Sequence, residues 1–129
     1  MVATPAAAMA VPKPVDVAWT SQNYHDIYGY LGVDVAAAMD RAVFAMLRPG
    51  GVFVVVDHSG LPGSSATAPT TLHRIEEATV KAQVLAAGFV LAGTSDVLRN
   101  PADPRTAAVF APEIRGHTDQ FMLKFRKPG

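Results

Sequence analysis

The sequence contains no cysteine. Disulfide frameworks, thiolate metal centres and cysteine nucleophiles are therefore excluded. The redox compartment stays open, because a cysteine-free chain folds in either. There is no charge excess either: Lys plus Arg and Asp plus Glu number 11 each. A balanced chain exerts no general pull on nucleic acid or anionic lipid, and neither is expected as a partner. No apolar run approaches the roughly 20 residues that cross a bilayer. The longest, Gly51–Val56, is strand-sized, so no membrane role is expected. The Ala-rich opening, residues 1–10, lacks a basic start and a Leu-rich centre, and it does not read as a signal peptide. It reads as a flexible lead-in or the remnant of a longer polypeptide, and a cytoplasmic location is favoured. No Gly-rich nucleotide loop lies ahead of the first strand.

What is present suits one globular domain. Half of the 129 residues are hydrophobic, and a domain of this size buries about two-thirds of its unfolded surface. Pro5, Pro12 and Pro14 keep the first fourteen residues irregular. The first strand is expected at Val15–Thr20. It ends in a polar elbow, Ser21-Gln22-Asn23-Tyr24-His25-Asp26. Residues 21–32, with Gly29, Gly32 and three tyrosines, read as a loop. A helix is predicted from about Val33 to Leu47, with Val35, Met39, Ala42, Val43 and Met46 facing inward and Asp40 and Arg41 outward. Arg48-Pro49-Gly50-Gly51 ends it.

The second strand, Val52–Val56, is apolar on both faces, as in a central parallel strand. It ends in a second polar elbow, Asp57-His58-Ser59-Gly60. Residues 59–70 read as a loop. A second helix is predicted from about Thr71 to Ala87, with Ile75, Thr79, Ala82 and Ala86 inward. A third strand starts at Phe89, residues 99–119 form a long excursion, and the last strand is Gln120–Arg126. Strands alternating with helices imply right-handed crossovers and a parallel sheet. The loop-connected last strand can enter antiparallel.

Several segments carry a family resemblance. Leu47-Arg48-Pro49-Gly50-Gly51-Val52-Phe53-Val54-Val55-Val56-Asp57 resembles the approach to the fifth strand of class I S-adenosylmethionine-dependent methyltransferases. Ala86-Ala87-Gly88-Phe89 resembles the step into their sixth strand. Asn23-Tyr24-His25-Asp26, His73-Arg74-Ile75-Glu76, Arg99-Asn100-Pro101 and Phe121-Met122-Leu123-Lys124-Phe125 are similar to a bacterial group of predicted methyltransferases. The resemblance implies an α/β fold: a partial doubly wound, Rossmann-like sheet of about four strands in the family order 4-5-7-6, last strand antiparallel, with two main helices. Residues 15–129 then form the C-terminal half of a methyltransferase-like domain behind a flexible lead-in, residues 1–14.

The implied activity is methyl transfer from S-adenosylmethionine to an unknown small acceptor. The family's first three strands, its Gly-rich loop and its ribose-binding acid have no counterpart here. The cofactor-binding residues are therefore unassigned, and activity of the lone chain is not expected. The first strand's open edge suits self-association, as in a homodimer, or a chain supplying the other half. The alternative is a non-catalytic half-domain that associates through the same edge. A hydrolase lacks its Gly-x-Ser-x-Gly elbow.

In open α/β sheets ligands gather beyond the carboxyl ends of strands, which singles out the two polar elbows. His25 is the best-placed base and His58 a second, with Asp57 as its partner. Asn23, Tyr24 and Asp26, with Asp57, are candidate substrate contacts. Two His and two Asp at neighbouring strand ends also suit a metal, but that set is assembled only by assumption, and no metal is expected. His73 and Arg74 read as a helix start able to meet an anion. Arg99, Arg105, Arg115 and His117 read as solvated loop charges, and Tyr24, Tyr28 and Tyr30 as loop packing.

Overall fold

The computed structural model describes residues 13–129, and the expected lead-in, residues 1–14, falls almost wholly outside them. The elements in chain order are β1 (Val15–Ser21), α1 (Tyr24–Asp26) running into a π-helical turn (Ile27–Leu31), α2 (Val33–Met46), β2 (Leu47–His58), α3 (Ala68–Thr71), α4 (Glu77–Ala86), β3 (Val90–Ser95) and β4 (Gln120–Arg126). Four strands form one sheet in the order β1-β2-β4-β3. β1 and β2 are parallel, and β4 runs antiparallel to both β2 and β3. This is the expected half-sheet, with its last strand reversed.

β2 begins earlier than expected. Val15 pairs with Leu47 and Val17 with Val52, so Arg48-Pro49-Gly50-Gly51 bulges out of the ladder. A Cβ at Gly51 would sit 2.8 Å from the Arg48 carbonyl and 3.1 Å from that of Asp16, so only glycine lets the bulge close against β1. The stretch after β1 is helical rather than a loop. Gly29 permits this: a Cβ there would lie 2.8 Å from Pro69 Cβ, and its absence lets the π turn rest on α3.

One face of the sheet is covered. Phe53, Val55, Phe121, Leu123 and Phe125 point to it and are buried under Met39 and Val43 of α2 and Val80 and Val84 of α4. The buried stripe of α2 is Ala36, Met39, Asp40 and Val43. Asp40, expected outward, is therefore inside. α4 starts at Glu77, not near Thr71, and it buries Val80 and Val84 while Ala82 and Ala86 stay exposed. Its onset is late because the chain at 74–75 runs beside the end of β2, with Ile75 N–H donating to the His58 carbonyl at 3.0 Å.

The other face carries no helix among the described residues. Val17 is 59% exposed and Trp19 72%. Trp19 pairs in register with Val54, and Val54, Gly93, Met122 and Lys124 line a shallow groove beside them. β1 is also a sheet edge. No helix of the described residues is long and apolar enough to cross a membrane.

Candidate functional site

Parallel pairing of Ser21 with Val56 brings the ends of β1 and β2 level. The residues that follow, Tyr24-His25-Asp26 on α1 and Asp57-His58 on β2, therefore meet. Asp57 is fully buried and organises the contact. Its carboxylate accepts the backbone N–H of His25 at 2.8 Å and that of His58 at 2.8 Å. Its Oδ1 lies 2.7 Å from His25 Nδ1. A carboxylate only accepts, so Nδ1 carries a hydrogen and Nε2 turns away. Asp57 was expected beside the His58 ring. Its side chain holds His25 instead, and His58 Nδ1 meets Thr118 Oγ1 at 2.6 Å.

His73 joins the group. The structure places it in the turn ahead of α4 rather than at a helix start, with φ 57°. Its ring is 5.5 Å from that of His25, edge-on, and 5.4 Å from Phe110. The His58 ring is 6.1 Å from His25. Asp26 Oδ1 lies 3.3 Å from His25 Nε2 and 3.5 Å from His73 Nδ1. Among the described residues, no hydrogen bond reaches His25 Nε2, His58 Nε2 or the His73 ring. Three of the four histidines thus gather at one place with their outer nitrogens unengaged; His117 stays exposed on the long loop.

Burial opposes a charge on His25, but the Asp57 hydrogen bond and the charges of Asp57 and Asp26 outweigh it and raise its pKa. Burial lowers the pKa of His58. The Asp57 charge resists this, while His25, Arg74 and His73 add to it. The two rings are thus pushed apart in basicity, a pattern typical of functional sites.

The other candidates are placed differently. Tyr24 is fully buried, and its hydroxyl donates to Asp40 Oδ2 at 2.6 Å and meets Gln83 Oε1 at 2.8 Å. Its ring therefore serves the core and is closed to a substrate. Asn23 is exposed at the mouth, its side chain bonded to Thr20 Oγ1. Tyr30 is exposed and donates to the Thr70 carbonyl at 3.2 Å, so the three tyrosines form no common pocket.

Arg74, read as an anion contact, is fully buried. Its guanidinium forks onto Asp103 at 2.7 and 3.1 Å and donates to the Ala107 and Ser59 carbonyls at 2.9 and 3.1 Å. Arg99 is not a solvated charge either: it bonds Glu77 and, at 3.1 Å, Asp119. Thr118 and Phe110 are the cluster members that sequence reasoning missed, and His73, expected at a helix start, belongs to the cluster instead. The one available signal was that His25 and His58 each follow a strand end; His73 lies in the turn between α3 and α4.

No protein-family model and no curated protein sequence matches the chain. Solved structures do. The [4+2]-cyclase SpnF aligns with a TM-score of 0.68 at 21% identity, over 98% of this chain and 55% of its own. The N-methyltransferase NodS from Bradyrhizobium japonicum WM9 aligns with a TM-score of 0.65 at 15% identity, over 99% of this chain and 59% of its own. The glycopeptide N-methyltransferase MtfA complexed with S-adenosylmethionine aligns with a TM-score of 0.61 at 15% identity, over 96% and 58%. The chain thus spans little more than half the length of these proteins. What it shares with them is the fold: it carries the half of the class I methyltransferase-like architecture that ends in a reversed strand.

Proposed function

We propose that the chain is the acceptor-side half of an S-adenosylmethionine-dependent methyltransferase acting on a small molecule. The observation that carries this is the cluster of three histidine rings at the carboxyl ends of the two parallel strands, where open α/β sheets take their ligands. S-adenosylmethionine, when bound, supplies an electrophilic methyl group. The described residues do not cradle it alone. Gly60 and Gly63 follow β2, and the space at Gly60 is filled by Ser64 Oγ, 2.9 Å from where a Cβ would stand. The chain's own residues hold the acceptor and take its proton. His58 offers Nε2 as the base, its ring fixed through Nδ1 by Thr118. His25, aimed by Asp57, and Asn23 and Asp26 at the mouth position the acceptor. A well-placed base of this kind contributes about 10²–10⁴-fold.

The missing wall comes from a second copy or a complementing chain that pairs with the β1 edge and covers Val17 and Trp19. Each 100 Å² of apolar surface so covered contributes about 2.5 kcal/mol. The same open edge supports the second reading, a non-catalytic module that only associates. Calorimetric titration with S-adenosylmethionine separates the two. Saturating heat at micromolar ligand in the assembled protein, with methyl transfer lowered at least 100-fold by His58→Ala, is the expected result. Silence from an assembled, folded protein leaves the module.

A further inference from the structure

We propose that His25, Asp26 and His73 bind one divalent first-row transition-metal ion. Their ligand atoms, His25 Nε2, Asp26 Oδ1 and His73 Nδ1, all lie within 4.8 Å of one another. A tetrahedral ion with bonds of about 2.0–2.1 Å has ligand-to-ligand edges of about 3.3 Å. The separations of 3.3 Å from Asp26 to His25 and 3.5 Å from Asp26 to His73 already have that length. A small ion can therefore enter once the two imidazole nitrogens, within 4.8 Å of each other, draw in to the same edge length.

The chemistry of the atoms agrees. With Nδ1 of His25 donating to Asp57, Nε2 presents a lone pair, and it faces a carboxylate oxygen that is also an acceptor. Two acceptors facing each other repel unless a proton or a metal cation lies between them, and a metal ion competes with the proton for this place. Asp57 supplies the support typical of a metal-bound histidine: a buried carboxylate on the far ring nitrogen fixes the tautomer and raises ligand basicity. His73 is held close in a left-handed backbone conformation, with its ring against Phe110 rather than in a hydrogen bond. Two imidazoles and one carboxylate suit zinc or iron(II) better than magnesium or calcium, which take oxygen ligands. Three protein ligands leave a position open, the arrangement of catalytic rather than structural sites. The sequence led to no expected metal; the set proposed here differs from the two His and two Asp of the strand ends, because His73 enters, Asp57 stands behind His25, and His58 borders the site.

The inference stands whether or not the chain transfers methyl groups. Its test is binding of zinc alone to the full, chelator-treated chain, read by calorimetry, with cobalt absorption in the visible range as the spectroscopic check. One ion per chain at micromolar affinity or tighter is expected. Asp26→Asn and His73→Ala, both at partly exposed positions, weaken it at least tenfold, while His117→Ala leaves it unchanged. Zinc also raises the melting temperature of the parent chain and of His117→Ala, but not of His73→Ala, and circular dichroism confirms that each variant is folded. Loss of a saturable one-to-one isotherm, or equal weakening by His117→Ala, overturns the site while leaving the methyl-transfer reading intact.

Discussion

Two polar clusters sit side by side at the carboxyl end of β2, and they differ in one respect. Around Arg74, every strong group is engaged: the guanidinium takes Asp103 and two carbonyls, and Asp103 also accepts the backbone N–H groups of Arg105 and Asp119 at 2.9 and 2.8 Å. Around His25, only the rear is engaged, through Asp57, and the front nitrogens face one another and Asp26 without a hydrogen bond. A fully satisfied buried network fixes structure. A cluster held from behind and open in front is arranged to receive something. The first clamps the long 99–119 excursion onto the sheet, and the second uses the platform so formed.

The sharpest break of this comparison is Arg74→Met. It leaves Asp103 buried without its partner and costs about 3–5 kcal/mol, read as a lower urea midpoint. His58→Ala, by contrast, leaves only the neutral Thr118 hydroxyl without its partner and costs about 1–3 kcal/mol, while removing the proposed base. If His58→Ala unfolds the chain as readily as Arg74→Met, the two clusters are of one kind.

A third polar group adds a pH axis. Burial raises the pKa of Asp40 to about 7, although the Tyr24 hydrogen bond and the Arg41 charge pull it down. Its Oδ1 has no partner among the described residues. A carboxyl whose folded pKa exceeds its unfolded one stabilises the fold most in acid. That contribution is complete below about pH 4, shrinks as pH rises and is gone above about pH 7. Asp40→Asn should flatten this slope in urea titrations across the range. Asp103 has the opposite sign. Burial pushes its pKa up, but the Arg74 bond and two backbone donors bring it below the usual value. Its contribution is therefore present at neutral pH and lost as acid is added. A smaller effect is expected at His73, where φ 57° costs a non-glycine residue about 1 kcal/mol or more. His73→Gly should leave stability equal or slightly higher while abolishing zinc binding.

The same contrast explains what the sequence disclosed. The strand runs Val52–Val56 and Gln120–Arg126 declare themselves by β-branched and aromatic residues, and the polar elbows at 21–26 and 57–60 mark the strand ends, so the half-sheet and the nearness of His25 to His58 are legible, whereas the turn of Asp57 toward His25 is not. Asp40 looks outward in sequence because its partner, Tyr24, lies 16 positions away. The start of α4 was misplaced for a related reason: Arg74 is pulled into the interior by Asp103, 29 residues on, and a local pattern cannot show a buried pair that distant. His73 enters the cluster only through that displacement. Helix in the 24–31 stretch was hidden by Gly29, which reads as a turn and is instead a contact point with Pro69.

On the open face, Trp19→Lys should barely alter the stability of the isolated chain, because the ring is 72% exposed, yet it should weaken assembly. Sedimentation velocity over a range of concentrations tests the half-domain account most directly. The account predicts a species that grows with concentration, or on addition of a complementing chain, and that Trp19→Lys returns to monomer. A compact monomer at every concentration, binding S-adenosylmethionine on its own, would contradict it.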